Sequence, residues 1–414
     1  MSPSVEQHHQ FDITIVGGGM VGMSLALLLA AQQRWKVLVL ESRAFETSDS
    51  IDYSTSFDAR STALSWSSRG ILQKMGIWQS IQQHAEAIES IHVSDRGHFG
   101  LTRLEATEAG VDALGYVVEN SWLGSVLMQQ AKQVNISLKG GATITSIQPK
   151  TQSMALAIEV DGQLQSVDTQ LLVVADGADS SCAKKLGISQ RQKAYGHSAI
   201  IANISLEQPH NNVAYERFTD QGPMALLPLT DFKNDHRCAL VWTQPSDCAD
   251  KLMAAENSEF LSQLQARFGN RLGQFKALGE RITYPLALTT SEEQVRRRLV
   301  VVGNAAHSLH PVAGQGFNLS LRDIDCLGQY LARQPLGTDT GDLDTLLDYQ
   351  AQREKDQRNT LLCTDNLTKL FGVSSSAVAL GRNSGLLMMD LVPTLRNQFA
   401  HFGMGSGQSG ANHG

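Results

Sequence analysis

The stretch that decides the fold is Phe11–Ser42, FDITIVGGGMVGMSLALLLAAQQRWKVLVLES. It starts with a short apolar run, Ile13–Val16, which is typical of a buried strand. A glycine turn follows, then an apolar segment long enough for a helix, Met20–Gln32, and then a second strand, Lys36–Leu40. The order strand, helix, strand predicts the first unit of a doubly wound α/β fold.

The turn after the first strand has the spacing G-x-G-x-x-G, formed by Gly17, Gly19 and Gly22. The first glycine allows a tight turn, the second lets backbone N–H groups approach a pyrophosphate, and the third lets helix and strand pack closely. Glu41 follows Gly22 by 19 residues (41 − 22) and ends the second strand, where a carboxylate accepts hydrogen bonds from a ribose diol. These four residues predict a dinucleotide site.

Two more apolar strands end in polar or glycine residues far along the chain. The segment Leu171–Ile188, LLVVADGADSSCAKKLGI, ends its strand at Asp176 and Gly177, and Leu299–Val302 ends at Gly303. Ligands of open α/β sheets lie at the carboxyl ends of the strands. Three such ends therefore predict an extended dinucleotide across the sheet rather than a small ligand.

The third strand runs into VVGNAAHSLHPVAGQGFN, residues 301–318, and then into a helix that we expect to begin near Gly316. Glycines leave the backbone bare, so unpaired N–H groups at the helix start can face a negatively charged group. His307 and His310 have no third metal ligand nearby in the sequence, so we expect packing or hydrogen bonds to loop carbonyls instead.

Composition excludes several classes of function. The chain has 414 residues, a formal net charge of −7 and a pI near 5.9, which argues against a nucleic-acid partner. We expect its one basic run, Arg296–Arg298, to be a solvated strand start. Five scattered cysteines without a C-x-x-C favour a reducing cytoplasm over disulfides or zinc. The longest apolar stretch, Met23–Ala31, is far below the roughly 18 residues of a membrane span, which leaves only peripheral contact with an inner membrane open.

Taken together, GGGMVG, ADGADS and GNAAHSLHPVAGQGFNLSLRD resemble the FAD-dependent aromatic hydroxylases, the group A flavoprotein monooxygenases of the para-hydroxybenzoate hydroxylase fold. Within that class they are most similar to the ubiquinone-biosynthesis hydroxylases, and the resemblance extends roughly from Phe11 to Gly403. It implies FAD as cofactor and NAD(P)H as transient reductant. It also implies oxygen transfer from O₂, through a flavin C4a-hydroperoxide, to the ring of a 2-polyprenyl-6-methoxyphenol.

The resemblance also implies which residues form the site. The flavin-face loop comprises His310, Pro311, Gly314, Gln315 and Gly316. The implied cofactor-binding residues are Gly17, Gly19, Gly22, Glu41, Arg60, Asp176, Gly177, Gly303, Asn304, Pro311, Gly314, Gln315, Gly316, Phe317 and Asn318.

Asn304 departs from the family pattern, in which an aspartate accepts a hydrogen bond from a ribityl hydroxyl. The Asn304 amide can still accept through its oxygen, but it carries no charge. This leaves alternatives open: a hydroxylase of another ring position or polyprenylphenol in the same pathway, or a weakly flavin-binding scaffold subunit among other ubiquinone-biosynthesis proteins.

The predicted fold class is α/β (α+β): a Rossmann-like FAD-binding domain interleaved with an antiparallel-sheet substrate domain, with a helical C-terminus. The FAD-binding parts are 1–85, 111–189 and 286–342, the substrate-domain parts are 86–110 and 190–285, C-terminal helices occupy 343–402, and 403–414 is a flexible tail. The candidates for lining a substrate pocket are Tyr215, Arg217, Phe218, Met224, Leu226 and Trp242.

Overall fold

A computed structural model of the chain describes residues 8–45, 60–96, 100–309, 314–372 and 392–405. The strands are β1 His8–Val16, β2 Val37–Leu40, β3 Ser61–Ser65, β4 Ala85–Ile88, β5 Ser90–Asp95, β6 Leu101–Glu105, β7 Gly115–Glu119, β8 Ile136–Lys139, β9 Ala142–Pro149, β10 Met154–Val160, β11 Gln163–Val174, β12 Gln190–Leu206, β13 Val213–Thr219, β14 Gly222–Phe232, β15 Asp235–Pro245, β16 Phe275–Leu278, β17 Ile282–Ser291, β18 Val295–Arg296, β19 Leu299–Val301 and β20 His307–Ser308. The helices are α1 Met20–Ala30, α2 Trp66–Lys74, α3 Trp78–Gln82, α4 Asn120–Gln133, α5 Ser181–Lys185, α6 Ser246–Ala254, α7 Asn257–Phe268, α8 Gln315–Arg333, α9 Leu343–Gly372 and α10 Pro393–Gly403.

The first sheet carries the predicted dinucleotide unit. Its order is β18-β19-β11-β1-β2-β8, and β1 pairs in parallel with both β11 and β2. The strand β19 also pairs in parallel with β11, so all three predicted strand ends lie at one edge. The first strand is longer than predicted, because β1 begins at His8 rather than Ile13.

Helix α1 is apolar all round, because other elements of the fold cover it on two opposite sides. Its Leu25 and Leu29 are fully buried in a core with β1 and β11 on one side and α4 and α8 on the other. A helix that is apolar all round is a buried one. This packing fixes the start of α1 against the end of β1.

The second sheet is long and mostly antiparallel, in the order β20-β17-β12-β15-β14-β13-β5-β6. Its one parallel pair is β13 with β5. One face, which we call the outer face, carries Leu226 and Trp242 and packs on α6 and α7. The opposite face, the inner face, carries Ala214 and Ala239.

The third sheet, in the order β3-β7-β4, lies between the other two. Val117 of β7 and Trp66 of α2 pack in one core with Ala214 and Ala239, so the inner face of the second sheet is turned toward the nucleotide-binding part of the chain.

The basic run is solvated only in part: Arg297 is exposed as expected, whereas Arg298 is buried. Arg298 is only 2% exposed, and its guanidinium donates to Asp339 at 2.7 Å and to the Gln170 carbonyl at 3.1 Å. Arg298 also has a φ of +66° in the tight turn between β18 and β19. The expectation was wrong for Arg298 because a partner 41 residues away, invisible in the local sequence, neutralises the charge.

The C-terminal third contributes α9 and α10 over the described ranges. Within those ranges, each helix is too short or too polar to span a lipid bilayer. The stretch from residue 373 to residue 391 lies outside the described residues.

Candidate active site

Three loops that are far apart in the chain meet at the carboxyl edge of the first sheet. Gly17 has a φ of +106°, and a Cβ there would lie 2.3 Å from the Ala175 carbonyl oxygen at the end of β11. Gly303, after β19, has a φ of +65°, and a Cβ there would lie 3.2 Å from the Val21 side chain of α1. The turns after β1, β11 and β19 therefore touch one another, and each contact depends on a glycine.

The turn after β1 leaves the start of α1 bare. A Cβ on Gly22 would fall 1.9 Å from the Gly17 carbonyl oxygen, so only glycine allows helix and strand to pack this closely. By contrast, no atom of the described part of the chain lies within 4 Å of a Cβ built on Gly19, which precedes the helix without a capping side chain. The first N–H groups of α1 thus face open space, as a pyrophosphate site requires.

Two carboxylates lie beside this turn. Glu41, at the end of β2, accepts a hydrogen bond from the Gly18 N–H at 2.6 Å. Asp176, at the end of β11, accepts from the Cys182 N–H at 3.1 Å through Oδ2. Its other oxygen, Oδ1, is buried and has no hydrogen-bond partner among the described residues. A buried acceptor without a donor indicates that a group absent from the chain supplies one.

A second bare helix start lies at α8. Gly314 precedes it with a φ of +60° and no capping side chain, and among the described residues a Cβ on Gly316 would meet nothing within 4 Å. A Cβ on Gly314 would lie 3.0 Å from the Cβ of Ala63, which places this helix start beside β3. Its exposed N–H groups give the partial positive charge that favours an anionic ring atom.

The side chain of Asn318 is bonded to other parts of the chain. Its amide nitrogen donates to the carbonyls of Ala63 and Gly314, both at 2.8 Å. Its amide oxygen accepts from the Ser65 N–H at 2.9 Å and the Ser68 hydroxyl at 2.7 Å. All four hydrogen-bonding positions of the amide are used and the side chain is 1% exposed, so Asn318 clamps α8 to β3 and has no position left for a cofactor.

The other residues that the resemblance implies for cofactor binding lie in different surroundings. Asn304 is exposed in the 3₁₀ turn after β19, and Arg60 lies 4.6 Å above the ring of Tyr284, which joins the start of β3 to the second sheet. Gln315 is buried and Phe317 packs against the core of the first sheet. His310 and Pro311 lie outside the described residues.

A buried charge network stands behind the α8 helix start. The His307 Nε2 lies 2.7 Å from Asp323 of α8, and Arg353 of α9 donates to the same carboxylate at 2.7 Å. Asp356 accepts from Arg353 and from Arg322. Burial alone would raise the pKa of the Asp323 carboxyl, but hydrogen bonds and charge from His307 and Arg353 hold it below its usual value.

This network was missed from the sequence. His307 was expected to pack or to bond loop carbonyls, and its actual partner is a carboxylate 16 residues later on a helix. The spacing of Asp323 and Arg353, 30 residues apart on two helices, carries no local signal. The network ties the loop that begins at Gly303 to α8 and α9.

Most of the predicted substrate residues lie on the outer face of the second sheet. Cross-strand pairing places Tyr215 opposite Leu226 and Arg217 opposite Met224, all on the outer face. Met224, Leu226 and Trp242 are buried there in the core made with α6 and α7. Of the six candidates, only Phe218 alternates onto the inner face, so the other five do not line a pocket facing the nucleotide edge.

The residues at the sheet edge fit FAD. The two bare helix starts suit a pyrophosphate and an anionic ring, the open positions beside Gly19 and Gly316 leave room for both, and the orphaned oxygen of Asp176 can accept from a hydroxyl. FAD would be held by α1, Glu41, Asp176 and the start of α8.

This fold and edge define a flavin-dependent oxidoreductase, and comparisons with known proteins agree. Residues 10–361 match the family described as "FAD binding domain". The chain therefore belongs to this family of FAD-dependent monooxygenases, and FAD is its cofactor.

Individual relatives extend along nearly the whole chain. It is 34% identical to the ubiquinone hydroxylase UbiL of Rhodospirillum rubrum over 95% of this chain and 90% of the relative. It is 27% identical to the mitochondrial ubiquinone biosynthesis monooxygenase COQ6 of Xenopus tropicalis, over 95% and 93%. The crystal structure of p-nitrophenol 4-monooxygenase PnpA from Pseudomonas putida shares the fold, with a TM-score of 0.76 at 16% identity over 97% of this chain and 99% of that one.

Proposed function

We propose that the protein hydroxylates the ring of a 2-polyprenyl-6-methoxyphenol in ubiquinone biosynthesis, with NAD(P)H and O₂ as co-substrates. The observation that carries the proposal is the 34% identity to a ubiquinone hydroxylase over 95% of the chain. A second hydroxylase, named for ubiquinone biosynthesis in Xenopus tropicalis, matches over the same share of this chain. The bare helix starts of α1 and α8 and the half-buried inner face support it.

The chain's own residues bind and orient, while the cofactor supplies the redox chemistry. FAD, when bound, accepts electrons from NAD(P)H and activates O₂. The N–H groups at the start of α1 bind its pyrophosphate, and those at the start of α8 stabilise negative charge on its ring. Asn318 and the Asp323 network hold α8 in place, so that this charge is fixed before the reaction.

The inner face of the second sheet suits an apolar ring with a prenyl tail. Ile201, Ala225 and Val241 lie side by side on adjacent strands and are only half-buried. Apolar side chains that remain accessible inside the molecule offer surface to a ligand and exclude water from it. A phenol resting on this face lies between the sheet and the cofactor edge.

Deleting the gene in its host tests the proposal. We expect 2-polyprenyl-6-methoxyphenol to accumulate, detected by mass spectrometry of lipid extracts, and a plasmid copy to restore ubiquinone. Accumulation of a different hydroxylated precursor would move the activity to another ring position. Unchanged ubiquinone in the deletion strain would overturn the proposal.

A further inference from the structure

Glu216 is a carboxyl group on the inner face of the second sheet. It lies between Ala214 and Phe218 on β13, so strand alternation turns it to the same face as these two residues. Its cross-strand partners are Val93 of β5 and Ala225 of β14. Its neighbours on either side, Tyr215 and Arg217, were predicted to line the substrate pocket, and they lie on the outer face.

The row of side chains that contains Glu216 borders open space. One row nearer to β7, Ala214 and Ala239 are 3% and 2% exposed in a closed core with Trp66. In the next row the side chains on β13, β14, β15, β12 and β17 are only half-buried, whereas Val93 of β5 at the end of the row is buried. This row runs across five strands through Glu216, Ala225, Val241, Ile201 and Ile282.

Glu216 has no hydrogen-bond or ion-pair partner among the described residues, and its row is otherwise apolar. Burial raises the pKa of its carboxyl to about 8, and no charged neighbour contributes to the shift. The other titratable or charged groups on the inner face or packed against it, in the described ranges, include Asp95 of β5, Tyr284 of β17, Arg60, Arg237 of β15, Glu119 of β7 and Glu86 of β4.

A carboxyl group in such surroundings weakens the fold unless a ligand uses it. Removing a polar group from water without a hydrogen-bond partner is unfavourable. Buried polar groups of this kind are therefore concentrated where a ligand completes their hydrogen bonds. The ligand for which this face is open is an apolar ring with a polar substituent.

We propose that Glu216 binds the phenol hydroxyl of the substrate and accepts its proton. The phenol O–H bond breaks, the proton passes to a carboxylate oxygen of Glu216, and the electron pair stays on the phenol oxygen. The resulting phenolate pushes electron density into the ring, which makes the ring carbon a better acceptor of the transferred oxygen atom. As the new C–O bond forms, the O–O bond of the oxygen donor breaks. The ring carbon then loses its hydrogen as a proton to the oxygen left on the donor, and Glu216 returns its proton to the phenol oxygen, which restores the aromatic ring and the carboxylate. This assignment rests on the function proposed above.

Proton acceptance requires the ionised form of Glu216, so hydroxylation should depend on pH. The rate is expected to rise as pH increases through the pKa of this carboxyl, about 8. A base whose pKa lies close to the working pH is the efficient kind. Because the folded-state pKa of Glu216 is raised, its ionisation destabilises the folded protein as pH rises. A neutral replacement should therefore not weaken the fold in the pH range where Glu216 ionises.

The test compares the wild type with Glu216→Gln and Glu216→Asp. The probe substrate is 2-methoxyphenol with a short prenyl chain at its free ortho carbon, and product is measured from about pH 6 to about pH 10. Glu86→Gln is the matched control, because burial also raises the pKa of Glu86 but it lies on β4. Flavin absorbance and its bleaching by NAD(P)H without phenol report on cofactor binding and reduction.

Glu216→Gln is expected to lower hydroxylation by about 100-fold or more and to flatten the pH profile. Glu216→Asp should restore part of the rate, while FAD content and reduction without phenol stay at wild-type values and thermal stability does not fall below that of the wild type. A Gln variant with the wild-type rate and pH profile would overturn the assignment while leaving the proposed function intact. A wild-type protein that is reduced by NAD(P)H but never converts the phenol would overturn the proposed function, and this assignment with it.

Discussion

The nucleotide edge of the first sheet and the inner face of the second sheet differ in how each is made. The edge is made by backbone: Gly17 and Gly22 are required because any side chain there would collide with a carbonyl oxygen. The inner face is made by side chains that alternate along strands, so a shift of one residue exchanges Glu216 for Tyr215. A site built from backbone turns can be identified in a sequence, whereas a site on a sheet face depends on register.

The largest expected effect tests whether the buried charge network of His307, Asp323 and Arg353 also supports the nucleotide edge. Replacing Asp323 with Asn removes the charge that His307 and Arg353 share, and it leaves Arg353 buried with only Asp356 to balance it. Removing one partner of a buried ion pair costs about 3–5 kcal/mol. We expect Asp323→Asn to lower the free energy of unfolding by that amount, measured by urea denaturation.

The matched control is Asp325→Asn on the same helix. Asp325 pairs with Lys74, which is 61% exposed, and such surface pairs contribute about 0–1 kcal/mol. Equal effects at the two positions would show that the buried network does not support the edge.

The same network predicts a pH dependence in acid. The pKa of Asp323 is held below its usual value, so its contribution to stability is present above the unfolded pKa and is lost as pH falls below about 4. The difference in melting temperature between wild type and Asp323→Asn should therefore narrow in acid. A difference that stays constant down to acid unfolding would contradict the assigned role of this carboxylate.

The second-largest expected effect compares truncation of a residue on the outer face of the second sheet with truncation of one on the inner face. Leu226 is fully buried on the outer face, and truncating a buried leucine to Ala costs about 2–5 kcal/mol. Ile201 is half-buried on the inner face. We expect Leu226→Ala to lower the melting temperature with little change in KM for the phenol, and Ile201→Ala to raise KM with little change in melting temperature. The reverse pattern would mean that the faces are assigned the wrong way round.

Much of the edge could be predicted from the sequence, because each motif is local. The strand, glycine turn and helix of Phe11–Ser42 form within about 30 residues, and the parallel pairing of β1, β11 and β19 follows from three apolar runs with similar endings. The side-chain bonds of Asn318 were not predicted, because three of its four partners lie on elements that only the tertiary fold brings together. Arg298 was misjudged for the same reason, since its partner Asp339 is remote in sequence.

The smallest expected effect tests the glycine turn directly. A Cβ on Gly22 would lie 1.9 Å from the Gly17 carbonyl oxygen, so Gly22→Ala must push α1 away from β1. Overpacking of this kind costs about 1–3 kcal/mol, which corresponds to roughly a tenfold to hundredfold loss of FAD affinity. The loss of FAD affinity is measured by flavin absorbance during equilibrium dialysis. Gly70→Ala in α2 is the control, because nothing lies within 4 Å of its Cβ position, and it should bind FAD normally.

The central claim is that three strand ends and the inner face enclose one FAD and one phenol. A crystal structure with FAD and the short-chain prenylated methoxyphenol tests it most directly. The account predicts the pyrophosphate at the first N–H groups of α1, the ring between the start of α8 and the inner face, and the phenol oxygen at hydrogen-bond distance from Glu216. A phenol bound against Trp242 on the outer face, or FAD bound away from Gly19, would contradict it.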